Sequence, residues 1–187
     1  MVGNDIIDLK EAKQASNWQR PRFLDKLFTL QEQQLIYKST NQFLMVWQLW
    51  SMKEAAYKLY TQLHPSRFYK PKHFECKIDK LRGAVIFQDF KCYVETKVTS
   101  HYIMSEARLN EHKLTSHVVK FDFKNSRIQS KVLKTSLLRL IEKRFQTEGE
   151  LAQVVTDEFG VPRVKFGLKE INVSLTHHGN YGAFAVI

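Results

Sequence analysis

Apolar residues recur at intervals of three and four along residues 44–63, a stretch without Gly or Pro. Met45, Leu49, Met52, Ala56, Leu59 and Leu63 make one stripe, which predicts a long helix with a core-facing side. The opposite side is unusual, because Trp47, Trp50, Glu54, Tyr57 and Lys58 fall together there. A helix lying on a surface carries polar groups on its back. Two tryptophans on the back predict a helix covered on both sides, with Glu54 and Lys58 at a junction flanked by aromatic surface. A carboxylate half enclosed in this way wants a cation, either a lysine or a metal ion. Taken alone, Glu54 and Lys58 also have the spacing of an ordinary helix ion pair.

Around this helix the pattern alternates between periods. Residues 2–7 form a short β-type run that contains one acid, Asp5. An acid in an apolar run is costly unless it is paired or holds a cation. Gly3 allows close approach of another backbone or a ligand. Asp8 and Glu11 have capping-box spacing, which predicts a helix from Leu9 and makes Asp8 a cap. Thr29 and Glu32 repeat that spacing before a helix over 30–38, and His64-Pro65 ends the long helix. Short β runs follow at 74–78, 84–87, 91–98, 102–109 and 118–123, read as one antiparallel meander. Its lysines, Lys70, Lys72 and Lys77 among them, are either a binding surface or a solvated face.

Lys124-Asn125-Ser126 reads as a joint. Residues 131–145 return to the helical period through Val132, Leu133, Leu137, Leu140 and Ile141. Lys131, Lys134, Arg139, Lys143 and Arg144 cover much of the remaining surface. The rest is β-like: 154–156, a turn at Gly160-Val161-Pro162, then 171–175 and 183–187. Thr176-His177-His178-Gly179 lies between the last two runs. Paired histidines raise zinc, but no third or fourth ligand stands at a useful spacing. A histidine at a strand end beside Gly179 fits phosphate or nucleotide contact better. His178 reads as an exposed loop residue.

Composition narrows the partners. The 187 residues are 43% hydrophobic, enough for a sizeable core, and neither disorder nor low complexity is evident. The formal net charge of +10 calls for an acidic partner: nucleic acid, anionic membrane, a phosphorylated ligand or an acidic protein. Cys76 and Cys92 have no metal spacing and form no disulfide framework. With no signal-peptide pattern and no apolar run of about twenty residues, the chain reads as cytoplasmic.

Three segments then line up: Gly3-Asn4-Asp5-Ile6-Ile7-Asp8, Trp50-Ser51-Met52-Lys53-Glu54-Ala55-Ala56-Tyr57-Lys58 and Ser174-Leu175-Thr176-His177. Together they resemble the G-x-D, W-[ST]-x-K-E-[AS]-x-x-K and S-x-S-H marks of the 4′-phosphopantetheinyl transferase superfamily. Phe28-Thr29-Leu30-Gln31-Glu32 is similar to that family's F-T-x-x-E helix start. The acid-first, histidine-last order resembles the small trimeric holo-acyl-carrier-protein synthases, but this chain is longer. The larger members carry two similar lobes in one chain, with the histidine lobe first.

The resemblance implies an α+β fold of two similar lobes, a pseudo-dimer in which each small antiparallel sheet packs with a long helix. It implies a metal-binding lobe at 1–124 and a nucleotide-contacting lobe at 125–187, in the opposite order to the larger members. A monomer with pseudo-twofold symmetry follows. Ile7 stands where a second acid is common, and Val161 where a lysine is common, with Arg163 nearby.

The implied reaction moves phosphopantetheine from coenzyme A to a serine of an acidic acyl or peptidyl carrier protein, releasing adenosine 3′,5′-bisphosphate. Asp5 and Glu54 are then the Mg²⁺ ligands, and Glu54 and Lys58 the catalytic pair. His177, Thr176, Lys53, Lys58, Lys131 and Arg163 are the coenzyme A contacts. Neither nucleic acid nor membrane is an expected partner. The competing reading is a non-catalytic basic module for nucleic acid or carrier protein, which explains the charge but not two acids in apolar contexts.

Overall fold

The computed structural model describes residues 1–66, 68, 70–145 and 151–187. The first lobe begins with β1 (Gly3–Asp8) and three short helices, α1 (Leu9–Ala15), α2 (Phe23–Leu27) and α3 (Leu30–Lys38). Next come the long α4 (Gln42–Leu63) and the meander β2 (Glu75–Asp79), β3 (Arg82–Phe87), β4 (Phe90–Val98) and β5 (Tyr102–Arg108). β1 returns to pair antiparallel with β5, giving the sheet order β1-β5-β4-β3-β2. The second lobe runs β6 (His117–Lys120), α5 (Ser126–Phe145), β7 (Gln153–Thr156), β8 (Pro162–Phe166), β9 (Lys169–His178) and β10 (Tyr181–Val186). Its sheet order is β6-β10-β9-β8-β7. Each lobe is therefore a strand, a long helix and a four-stranded meander, with the first strand closed against the last. The expected α+β fold of two similar lobes is the observed one.

The local signals act as the sequence implies. Asp8 Oδ1 accepts from the backbone N–H groups of Lys10 and Glu11 at the start of α1. Thr29 and Glu32 close a reciprocal capping box on α3. α4 is covered on both sides. Leu49, Met52, Ala56 and Leu59 are buried on its predicted stripe, and Trp47 and Lys53 are buried elsewhere around it. A Cβ on Gly3 would run into the carbonyl of Ala55 and the amide of Leu59, so the close approach at Gly3 is that of the α4 backbone.

Four features differ from the sequence reading. β6, expected as the end of the first meander, pairs with β10 in the second sheet. The change of lobe thus falls within residues 109–116, ahead of the expected joint at 124. Its anchor is Glu106, fully buried on β5, which accepts from the backbone N–H groups and hydroxyls of Thr115 and Ser116. Second, Trp47 does not line the junction. It packs edge-on against Phe23 and Phe43, at 6.4 and 6.3 Å between ring centroids, inside the first-lobe core. Third, β8 was not anticipated, although Val164 and Phe166 alternate with Arg163 and Lys165 and Pro162 opens the strand. Fourth, β9 extends through His178, so Thr176-His177-His178 is strand and not loop.

The lobes meet along β1, β9 and β10. Ile6, Met104 and Ala183 are buried between them, with Val118, Tyr102 and Tyr181 packed around. Tyr102 and Tyr181 each open the last strand of their lobe, and their rings lie 5.1 Å apart. No described helix is long and apolar enough to cross a membrane.

Candidate active site between the lobes

Period-two alternation on β9 puts Ser174, Thr176 and His178 on one face of the strand. All three reach β1. Ser174 Oγ accepts from the Asn4 amide at 2.9 Å, and His178 Nδ1 accepts from the Asp8 amide at 3.0 Å. Thr176 Oγ1 donates to Asp5 Oδ1 at 2.9 Å. Gln62, at the end of α4, bonds both backbone groups of Val2 and the carbonyl of Val173. The Asn180 amide donates to Asp8 Oδ2 at 2.8 Å, and a Cβ on Gly179 would collide with that carboxyl. Asp8 is therefore a cap as expected, and it also seats the β9–β10 turn. β1 lies clamped between its own sheet and the second lobe.

Asp5 stands in the middle of this clamp with 7% of its surface exposed. Gly3, Asp5 and Ile7 share the face of β1 toward α4. Lys58 Nζ, from α4, donates to Asp5 Oδ1 and to the Asn4 carbonyl, both at 3.0 Å. Asp5 Oδ2 is buried and has no hydrogen-bond partner among the described residues. Beneath it, Ser105 faces Asp5 across the β1–β5 ladder and shares hydrogen bonds with Ser51 at 2.6 Å and Thr96 at 2.9 Å. Glu54 lies half-buried one turn before Lys58. Burial first, and then the Glu54 charge, push the Tyr57 phenol above its ordinary value.

His177 projects to the opposite face of β9 from Thr176 and is exposed at its edge. Its imidazole is held below the ordinary value of 6.5, chiefly by desolvation and next by the Lys58 ammonium, with His178 adding a smaller push. The structure brings together Asp5, Lys58 and Thr176 by direct contact, and His177 follows Thr176 on β9.

Three sequence candidates stand apart from this group. Lys53 is fully buried, bridges to Glu32 at 2.8 Å and donates to the carbonyls of Pro71 and Phe74. Its ammonium is spent inside the first lobe, because a charge with no access to water needs every donor satisfied. Arg163 forms an ion pair with Glu170 at 2.8 Å on the second sheet. Lys131 is exposed on α5.

Ser174, quoted only within the S-x-S-H mark, and His178, Gln62 and Glu106 were given no role by the sequence. The alternation on β9 carried the signal for the first two, once that strand is extended to His178. Gln62 and Glu106 left no local signal, since each acts through a partner distant in sequence.

A divalent cation fits Asp5 in one respect: a buried carboxylate oxygen without a donor is stabilised by positive charge. No group of three or more His, Cys, Asp or Glu side chains gathers among the described residues. Mg²⁺ does not require one, since it is commonly held by one or two carboxylates with phosphates and water completing its shell. A groove of about 1130 Å³ between α3, β2 to β4 and the 111–113 segment lies elsewhere and is lined by none of these residues.

The family model for the 4′-phosphopantetheinyl transferase superfamily (ACPS) matches residues 1–121. That span contains Asp5, Glu54 and Lys58, and ends before Thr176 and His177. No curated protein matches the chain.

Proposed function

This chain belongs to the 4′-phosphopantetheinyl transferase superfamily, and we propose that it moves the phosphopantetheine arm of coenzyme A to a serine hydroxyl of an apo acyl or peptidyl carrier protein. The serine oxygen forms a bond to the phosphorus that bears pantetheine. The bond from that phosphorus to the bridging oxygen breaks, and adenosine 3′,5′-bisphosphate leaves with it. Phosphoryl transfer asks a protein for positioning and charge neutralisation more than for covalent help.

The observation that carries this reading is Asp5 in the seam between lobes, with Oδ1 held by Lys58 and a buried Oδ2 that has no partner among the described residues. Asp5 and Glu54 are the residues that would hold Mg²⁺, which when bound neutralises diphosphate oxygens. Lys58 orients Asp5 and supplies positive charge to the same phosphates. Glu54 receives the serine proton. His177 faces the nucleotide end, where an added phosphate offsets the Lys58 charge that otherwise disfavours an imidazolium. The net charge of +10 suits an acidic carrier protein. We place the enzyme in the cytoplasm as a monomer.

The direct test incubates the protein with coenzyme A, Mg²⁺ and a panel of apo carrier proteins, and weighs the products. The expected result is a carrier heavier by one phosphopantetheine. Asp5→Ala and Glu54→Gln abolish the gain with the fold intact, while His177→Ala weakens coenzyme A binding more than it slows turnover. Absence of any arm on every carrier, with salt-sensitive binding to DNA instead, would favour a basic nucleic-acid module.

A further inference from the structure

Thr176 stands out because its hydroxyl proton is already committed. A threonine hydroxyl has one proton to donate. Here that proton goes to Asp5 Oδ1, in a buried hydrogen bond that crosses from one lobe to the other. A phosphate oxygen only accepts, so this hydroxyl has no proton left for the nucleotide.

Both donors that reach Asp5 converge on one oxygen, Lys58 from the first lobe and Thr176 from the second. The other oxygen is buried and has no hydrogen-bond partner among the described residues. A free carboxylate can exchange its two oxygens by rotating about its last bond, and two donors on one side remove that freedom. We propose that Thr176 is a positioning residue whose hydroxyl, with the Lys58 ammonium, fixes Asp5 Oδ1 and reserves Oδ2 for the divalent cation. This rests on the transferase reading of Asp5 given above. Groups that orient a metal ligand from behind commonly change metal affinity by about 10- to 100-fold when removed.

Strand docking does not depend on this hydroxyl, because Ser174 and His178 hold β1 on either side of Thr176. Thr176→Val keeps the side-chain shape, and Thr176→Ser keeps the donor.

The experiment titrates Mn²⁺, followed by its electron paramagnetic resonance, into the protein with coenzyme A present. Thermal melting and coenzyme A binding in EDTA are measured beside it. Thr176→Val is expected to weaken Mn²⁺ binding at least tenfold. Thr176→Ser is expected to restore most of it, with metal-free coenzyme A binding unchanged in both. Mn²⁺ affinity equal to wild type in Thr176→Val overturns the inference. So does an equal loss of coenzyme A binding in EDTA, which would make Thr176 a nucleotide contact. If wild type transfers the arm but Thr176→Val binds Mn²⁺ normally, only the inference falls. If wild type binds no Mn²⁺ with coenzyme A, the cation reading of Asp5 falls and takes the inference with it.

Discussion

Asp5 and His177 answer to the same lysine from opposite sides. Lys58 donates to Asp5 and lowers the affinity of His177 for a proton. Burial acts in the same direction and is the larger cause. His177 should therefore titrate below 6.5 in the free protein and be neutral at pH 7. The linkage sign follows: a histidine that binds its proton more weakly folded than unfolded costs stability as pH falls from 6.5 through its folded value. Lys58→Met removes one cause and should raise the midpoint, and an NMR titration of the His177 ring reads it. An unmoved midpoint would separate Lys58 from His177. Asp5 was legible in the sequence because an acid inside an apolar run is too costly to keep without a cation to hold. Lys53 was not, since a lysine in a helix looks the same whether its ammonium meets water or a buried glutamate.

That buried pair shows how the elements are joined. Glu32 caps α3 through Thr29, accepts from the Cys76 amide on β2 and bridges to Lys53 on α4. One carboxylate thus ties two helices and a strand, with neither side chain of the pair exposed. Removing one partner leaves a buried charge uncompensated, which costs about 3–5 kcal/mol. Lys53→Met should destabilise the fold by that amount in a denaturation experiment, while coenzyme A affinity of the folded protein stays at the wild-type value. A loss of affinity without a loss of stability would return Lys53 to the ligand.

The element boundaries themselves were largely readable. Period-two runs placed β2 to β5, and the apolar stripe placed α4. What stayed hidden was which sheet a strand joins. β6 is a short apolar run that suits either sheet. Its allegiance is decided by the tie from Glu106 to Thr115 and Ser116 and by its pairing with β10, and neither contact is local in sequence.

The two lobes repeat one topology, and the proposed site lies at their seam. The family match covers residues 1–121, while the β9 residues of the proposed site lie beyond it. Both lobes were foreseen from motif order, although no internal repeat is visible in the sequence. Topology is carried by which faces are apolar, and many sequences satisfy that. The small trimeric synthases that the motif order resembles would instead build each site from two chains. Here Thr176 reaches Asp5 within one chain, so one chain should make one complete site.

Crossed refolding tests this most directly. Glu54→Gln and His177→Ala are unfolded together, refolded as a mixture and assayed by mass for arm transfer to an apo carrier protein. A site built within one chain predicts no recovery above the separate variants, and wild-type protein that is active as a monomer at low concentration. Activity regained in the mixture would mean that sites form between chains, and would contradict the single-chain site described above.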